Sequence, residues 1–125
     1  MNDKYYFEDI GIRNSLVQGG LIPSLEKVIE NAVYLHLVRL GYNVSVGYLQ
    51  KAEIDFVANK GDQTIYVQAT YLLSNDETVA REFGNLALIN DNFPKYVVSM
   101  DKLYNGNNSQ GINHLHLRDF LRWKP

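Results

Sequence analysis

The chain alternates between a hydrophobic period of about 3.6 residues and one of 2, and the order in which they occur outlines a fold. Leu25, Val28, Ile29, Ala32, Val33, Leu37 and Leu40 recur at helical spacing. Pro23-Ser24 suits the start of that helix and Gly41 its stop, so a helix to Leu40 is expected. Tyr42 to Tyr48 then changes to the strand period, with Val44, Val46 and Tyr48 on one face.

The same two-residue period continues from Ala52 to Thr70. Ile54, Phe56 and Ala58 alternate with Glu53, Asp55 and Val57, and Ile65, Val67 and Ala69 alternate with Thr64, Tyr66, Gln68 and Thr70. Gly61-Asp62 between the runs suits a two-residue hairpin turn of type II′, because glycine takes a positive φ without steric cost. If Lys60 pairs with Gln63, Asp55 stands opposite Gln68 and Glu53 opposite Thr70, with Cβ atoms about 5 Å apart. Such a face either shares a hard cation such as Mg²⁺ or is an ordinary polar hairpin surface.

Beyond the hairpin, Ser74-Asn75-Asp76-Glu77 matches a capping box. It predicts a second helix carrying Val79, Phe83 and Leu86 and ending before Pro94. Lys95 to Met100 reads as a buried strand, joined to the hairpin through that helix by a parallel crossover. At the start, Lys4 to Phe7 predicts a short strand, followed by a Gly11–Asn14 turn and a loop through Gly19-Gly20. At the end, a loop from Tyr104 to Gly111 precedes a strand near Asn113 to His116 and a short helix. The expected class is α/β with a mixed sheet: helix, three-strand meander, helix, strand, plus extra N- and C-terminal elements. One domain is expected over 1–125, with an N-terminal strand and loop (1–21), a core (22–103) and a C-terminal loop, strand and helix (104–125).

Composition narrows the chemistry. With 125 residues, 46% hydrophobic, the chain suits one domain with a real core. It has no cysteine, which excludes disulfides, thiolate catalysis and Cys-based zinc sites. No 18-residue apolar run occurs and the opening MNDKYYFEDI lacks a signal-peptide core, so a soluble cytoplasmic protein is expected, with no membrane partner. A net charge of −2 and a pI near 5.9 provide no global field for nonspecific DNA binding. The chain also lacks a P-loop, which excludes ATP binding in the Walker manner.

Several segments together resemble a known family. They are KYYFEDIGIRN, IENAVYLHLVRLGYNV, VGYLQKAEIDFVA, IYVQATYLL, DETVAREFGNL and INDNFPKYVVSMD. In order and spacing they resemble the C-terminal nuclease-like domain, of the PD-(D/E)XK type, attached to many bacterial and archaeal AAA+ ATPases. The resemblance implies a restriction-endonuclease-like core and a AAA+ ATPase module, in cis or in trans, or a sister domain as partner. DNA is a further possible partner, and an uncovered edge strand leaves a homodimer open.

Active members of the PD-(D/E)XK class use a helix Glu, a strand Asp, and an acidic residue followed two positions later by Lys, around Mg²⁺ or Mn²⁺. By resemblance Glu30 is the helix carboxylate, Asp55 the strand ligand and Gln68 the third ligand. Thr70 stands where the lysine belongs, and a hydroxyl that is never cationic does little to activate water or offset negative charge. A replacement cation has three candidates, Lys51, Lys60 and Arg81. Two readings follow: a noncatalytic accessory domain contacting protein or DNA, and a Mg²⁺-dependent DNA phosphodiesterase with a relocated cation.

Each residue also has a plainer role. Glu30 suits a solvated helix flank, Glu53 an edge charge that discourages strand association, and Gln68 a hydrogen bond to Asp55 or the backbone. His114 and His116 share one side of a strand, either as a transition-metal pair or as structural residues. The aromatic residues are expected mainly in the core, and Trp123, flanked by Arg122 and Lys124, either packs or forms a docking tip.

Overall fold

Each change of hydrophobic period coincides with a change of element in the computed structural model, which describes residues 6–9, 25–73, 76–101 and 111–123. The elements are β1 (Tyr6–Asp9), α1 (Leu25–Arg39), β2 (Asn43–Tyr48), β3 (Glu53–Lys60), β4 (Gln63–Ala69), α2 (Asp76–Ala87), β5 (Lys95–Ser99), β6 (Asn113–His116) and α3 (Leu117–Arg122). The helix, three-strand, helix, strand order expected for the core is present from α1 to β5. The first strand is Tyr6–Asp9 rather than Lys4–Phe7, paired with β2 from Tyr6↔Tyr48 to Asp9↔Ser45. The expected Gly11–Asn14 turn, the Gly19-Gly20 loop, the Pro23-Ser24 helix start, Ser74-Asn75 of the capping box and all but the last residue of the Tyr104–Gly111 loop lie outside the described residues.

The strands form one six-stranded mixed sheet in chain order. β1 to β4 are antiparallel, with short hairpin-type connections at β2–β3 and β3–β4 and α1 between β1 and β2, whereas β5 joins β4, and β6 joins β5, in parallel. A parallel neighbour needs a crossover, which α2 supplies between β4 and β5. Helices cover both faces. Ile29, Val33 and Leu37 of α1 and Phe120 of α3 join Val46, Phe56, Ala58, Val67 and Val98 in one cluster. Phe83 and Leu86 of α2 join Ile54, Val57, Tyr66, Val97 and Ile112 in the other. Fully burying each such side chain contributes roughly 1.5–3 kcal/mol, so these two clusters hold the layers together.

The ends of α1 show how local signals and packing divide the work. Gly41, at φ +95°, ends the helix: its N–H bonds the Val38 carbonyl, and the Tyr42 N–H bonds that of Leu37. Along the helix, however, Leu25 and Val28 are exposed, while His36 is buried. Leu25 occupies the end turn, and Val28 is rotated one residue away from the Ile29, Val33, His36, Leu37 stripe. His36 is admitted because its Nε2 meets the Trp123 carbonyl at 3.1 Å and its ring meets Phe120 edge-on at 5.2 Å.

No helix among the described residues is long and apolar enough to cross a membrane.

Candidate functional site

The hairpin closes as its residues predict. Lys60 pairs with Gln63, and Gly61 has φ +60°, with no other residue of the turn at positive φ. A type II′ turn requires this combination. From there the β3–β4 ladder runs regularly to Phe56↔Val67 and stops short of Asp55.

The cause lies on the opposite side of β3. Ser45 pairs with Val57 but Gly47 pairs with Ile54, so Asp55 and Phe56 together face Val46 alone. This is a β-bulge, which bends a strand and re-aims a side chain. It overturns the simple alternation expected of β3: Ile54 and Val57 enter the cluster beneath α2, and Phe56 and Ala58 the one beneath α1. Gly47 makes the bulge possible. A Cβ there would lie 2.7 Å from Val57 Cγ2 and 3.3 Å from Ile54 Cβ, closer than side chains tolerate.

Past the bulge, side chains make the rungs that the backbone does not. The Asp55 N–H donates to Gln68 Oε1 at 2.7 Å, and the Ala69 N–H donates to Asp55 Oδ2 at 2.9 Å. Gln68 Nε2 donates to the Glu53 carbonyl at 3.3 Å. Asp55 and Gln68 are thus brought together as expected, each bonded to the other strand's backbone. The expected Glu53–Thr70 opposition is absent from the ladder: Glu53 is exposed and pairs with Tyr48, and buried Thr70 gives its N–H to the Val98 carbonyl.

The surroundings are acidic. Burial, followed by the charges of Glu82, Glu30 and Glu53, pushes the Asp55 carboxyl up to about 8 despite the Ala69 N–H that favours its ionised form. Glu82, from α2, is also raised, first by burial and then by Glu26 and Glu30, against the lowering effect of Arg81. Glu82 is 8% exposed, and its Oε2 is buried with no hydrogen-bond partner among the described residues. One turn further along α2, Asn85 Nδ2 donates to the Glu53 carbonyl at 3.4 Å, which places this face of the helix over the bridged strand ends. Glu30 is half-buried, 4.0 Å from Lys27, and its charge reaches both Asp55 and Glu82. The sequence reading missed Glu82, although it stands three residues after Val79 and four before Leu86, within the apolar stripe.

The donor set can be compared with what a hard divalent cation takes, namely carboxylate, carbonyl and water oxygens. Gln68 does not fit as placed, since its Oε1 already holds the Asp55 N–H. Asp55 Oδ1 carries no hydrogen bond from the described residues, and Glu82 Oε2 has no partner among them, so each carboxyl keeps one oxygen uncommitted. Among the described residues no three acidic or histidine groups stand together as a metal centre.

The candidate replacement cations fare unequally. Lys60 belongs to the turn end, where Nζ donates to the Leu40 carbonyl at 2.8 Å and lies 5.7 Å over the Tyr42 ring. Lys51 is exposed beside Leu49, Gln50 and Leu88. Arg81 pairs with Glu82, its Nε 3.5 Å from Oε1, yet it too is exposed. No lysine or arginine among the described residues pairs with Asp55.

Other polar groups prove to be structural. His114 Nε2 meets Ser99 Oγ at 2.6 Å, whereas His116 Nδ1 accepts the Arg118 N–H at 3.0 Å and caps α3. Their different partners argue against a paired metal site. Trp123 packs on Tyr96 and Phe120 rather than standing out as a docking tip, and with Tyr42 and Phe93 it walls a cavity of about 330 Å³ near the turn. A network that the sequence reading missed joins Tyr66, Asp91 and Lys95. Tyr66 Oη and Lys95 Nζ bond the Asp91 carboxylate at 2.7 and 2.9 Å, and Nζ also reaches the carbonyls of Asp91 and Phe93. All three ammonium protons are satisfied, which is how a lysine at the head of an apolar strand is buried.

No protein-family model and no solved structure matches the chain. Over 120 residues it is 34% identical to an uncharacterized protein of Haemophilus influenzae, a match covering 96% of this chain and 29% of the relative. The chain therefore spans less than a third of the length of that protein.

Proposed function

We propose that the chain is a noncatalytic, nuclease-like domain of the restriction-endonuclease type, retained for contacts with a AAA+ ATPase-type module, a sister domain or DNA. The bridged strand end carries this reading. Two positions that hold metal in an active nuclease, Asp55 and Gln68, here tie strand to strand through their backbone hydrogen bonds. Thr70, where an active enzyme has lysine, is buried, and no cation pairs with Asp55 among the described residues. Losing one such acid-base or electrostatic group costs about 10²- to 10⁴-fold in rate. The ATPase and sister-domain partners rest on the resemblance, and the much longer Haemophilus relative accords with a module built into larger proteins.

The second reading, a Mg²⁺-dependent DNA phosphodiesterase with a relocated cation, draws on Arg81, which lies beside Glu82 at the edge of the acidic group. The two readings separate in a cleavage assay on supercoiled and branched DNA with Mg²⁺ or Mn²⁺, run beside Asp55→Ala. The proposal expects no cutting above the control. Metal-dependent cutting that Asp55→Ala abolishes overturns it.

A further inference from the structure

The turn end of the hairpin, away from Asp55, borders the cavity of about 330 Å³, a size that suits a small organic molecule. Tyr42, Phe93, Tyr96 and Trp123 give it four aromatic walls, and the exposed turn residue Asp62 adds a carboxylate. The geometry points to a binding site for a small alkylated ammonium compound, held by the ring faces and by the charge of Asp62. Such a site is independent of the nuclease-like reading, since none of its residues belongs to the Asp55 end. The walls are fixed before any ligand arrives. Phe93 is 40% exposed, yet its N–H donates to Asp91 Oδ1 at 3.0 Å and its carbonyl accepts from Lys95 Nζ at 2.9 Å. Trp123 is pinned in the same way, its N–H donating to the Phe120 carbonyl at 3.0 Å and its own carbonyl meeting His36 Nε2 at 3.1 Å. Walls held in place by their backbone lose little freedom on binding.

The walls also limit the shape and charge of the ligand. The rings of Tyr96 and Trp123 are inclined by 60°, with centroids 5.3 Å apart. Rings so inclined make a corner rather than a parallel slot, which favours a compact, rounded group over a flat base that stacks. Aromatic faces carry negative potential and attract ammonium groups, quaternary ones above all because they are weakly hydrated. The Asp62 side chain has no ion pair or hydrogen bond with the described residues, so its charge is uncommitted. No lysine or arginine among the described residues lines the cavity, and the carboxylate disfavours an anion. Lys60 Nζ, 5.7 Å over the Tyr42 ring, shows that this wall accepts an ammonium, and its bond to the Leu40 carbonyl keeps it outside the lining.

The test is titration of the whole chain with choline, followed by NMR. Trp123 is the one tryptophan of the chain, so its indole N–H resonance reports on the cavity without assignment. The wild type is expected to show a saturable shift with a dissociation constant of about 1 mM or lower. The uncharged carbon isostere of choline, with a tert-butyl group in place of trimethylammonium, is expected to bind about five-fold or more weakly. Asp62→Asn and Phe93→Ala are each expected to weaken choline binding by a similar factor, about five-fold. Near-UV circular dichroism of each variant without ligand separates loss of a wall from loss of fold, and Asp62→Asn, at an exposed turn residue, decides the matter if Phe93→Ala unfolds. A wild type that gives no saturable shift, an isostere that binds as tightly as choline, or choline binding that either folded variant leaves intact overturns the inference. DNA cleavage, measured apart, decides the proposed function independently.

Discussion

The two ends of the β3–β4 hairpin are built from the same two strands and held in different ways. At the turn, main-chain pairs run unbroken from Lys60↔Gln63 inward, and Gly61 supplies the positive φ. At the open end the backbone ladder stops, and the side chains of Asp55 and Gln68 take up the amide protons of Asp55 and Ala69. A main-chain rung tolerates many residue types, but a side-chain rung requires a particular one. The open end is therefore where polar residues lie beneath a buried helix face, and where single substitutions have the larger effects.

Gln68→Ala puts the greatest strain on that contrast. It removes the acceptor for the Asp55 N–H and the donor to the Glu53 carbonyl from a site only 2% exposed. The loss of two buried bonds and the void left behind predict a destabilisation of about 3 kcal/mol in urea denaturation. Little change would mean that the backbone ladder can extend past Phe56↔Val67 unaided.

Gly47→Ala tests the bulge itself. The added Cβ meets Val57 Cγ2 at 2.7 Å, so about 1–3 kcal/mol of stability should be lost. Amide exchange should quicken first around Asp55 and Gln68 if the bulge and the side-chain rungs act as one unit.

Asp55→Asn sharpens the electrostatic side of the comparison. Folded Asp55 holds its proton up to about 8, whereas an unfolded aspartate releases it near 4. Between those values the folded state binds more protons, so the wild type loses stability as pH rises through the interval. Asparagine still accepts the Ala69 N–H and has no such dependence. Relative to wild type it should gain about 1–3 kcal/mol between pH 4 and 9, after allowance for solvent screening. Parallel pH profiles of melting temperature for the two proteins would show that Asp55 titrates normally.

Gly61→Ala is the smallest change and the control at the other end. Its Cβ meets nothing within 4 Å, so only the backbone cost of positive φ remains, about 1 kcal/mol. The Asp55 region should be undisturbed, as seen in its amide exchange.

The order of elements, the hairpin register and the apolar stripe of α2 were legible in the sequence, because hydrophobic period, turn glycines and helix stops are local signals. Asp55 opposite Gln68 followed from counting outward from Gly61-Asp62. Counting could not reveal the bulge, since Ile54, Phe56 and Ala58 read as regular alternation and the extra residue shows only against Val46 of the neighbouring strand. For the same reason Glu82 was visible only as an oddity of spacing and Lys95 as a charge at the edge of an apolar run. What each acid or base faces depends on how α2 lies across the sheet, and its burial and partners come from residues distant in the chain. The sequence by itself determined the α/β order and which residues share a hairpin. Only the tertiary structure decided that Gln68 ties the strands, that no lysine or arginine among the described residues pairs with Asp55, and that the crossover helix contributes a buried carboxylate, because burial and charge are properties of the assembled layers.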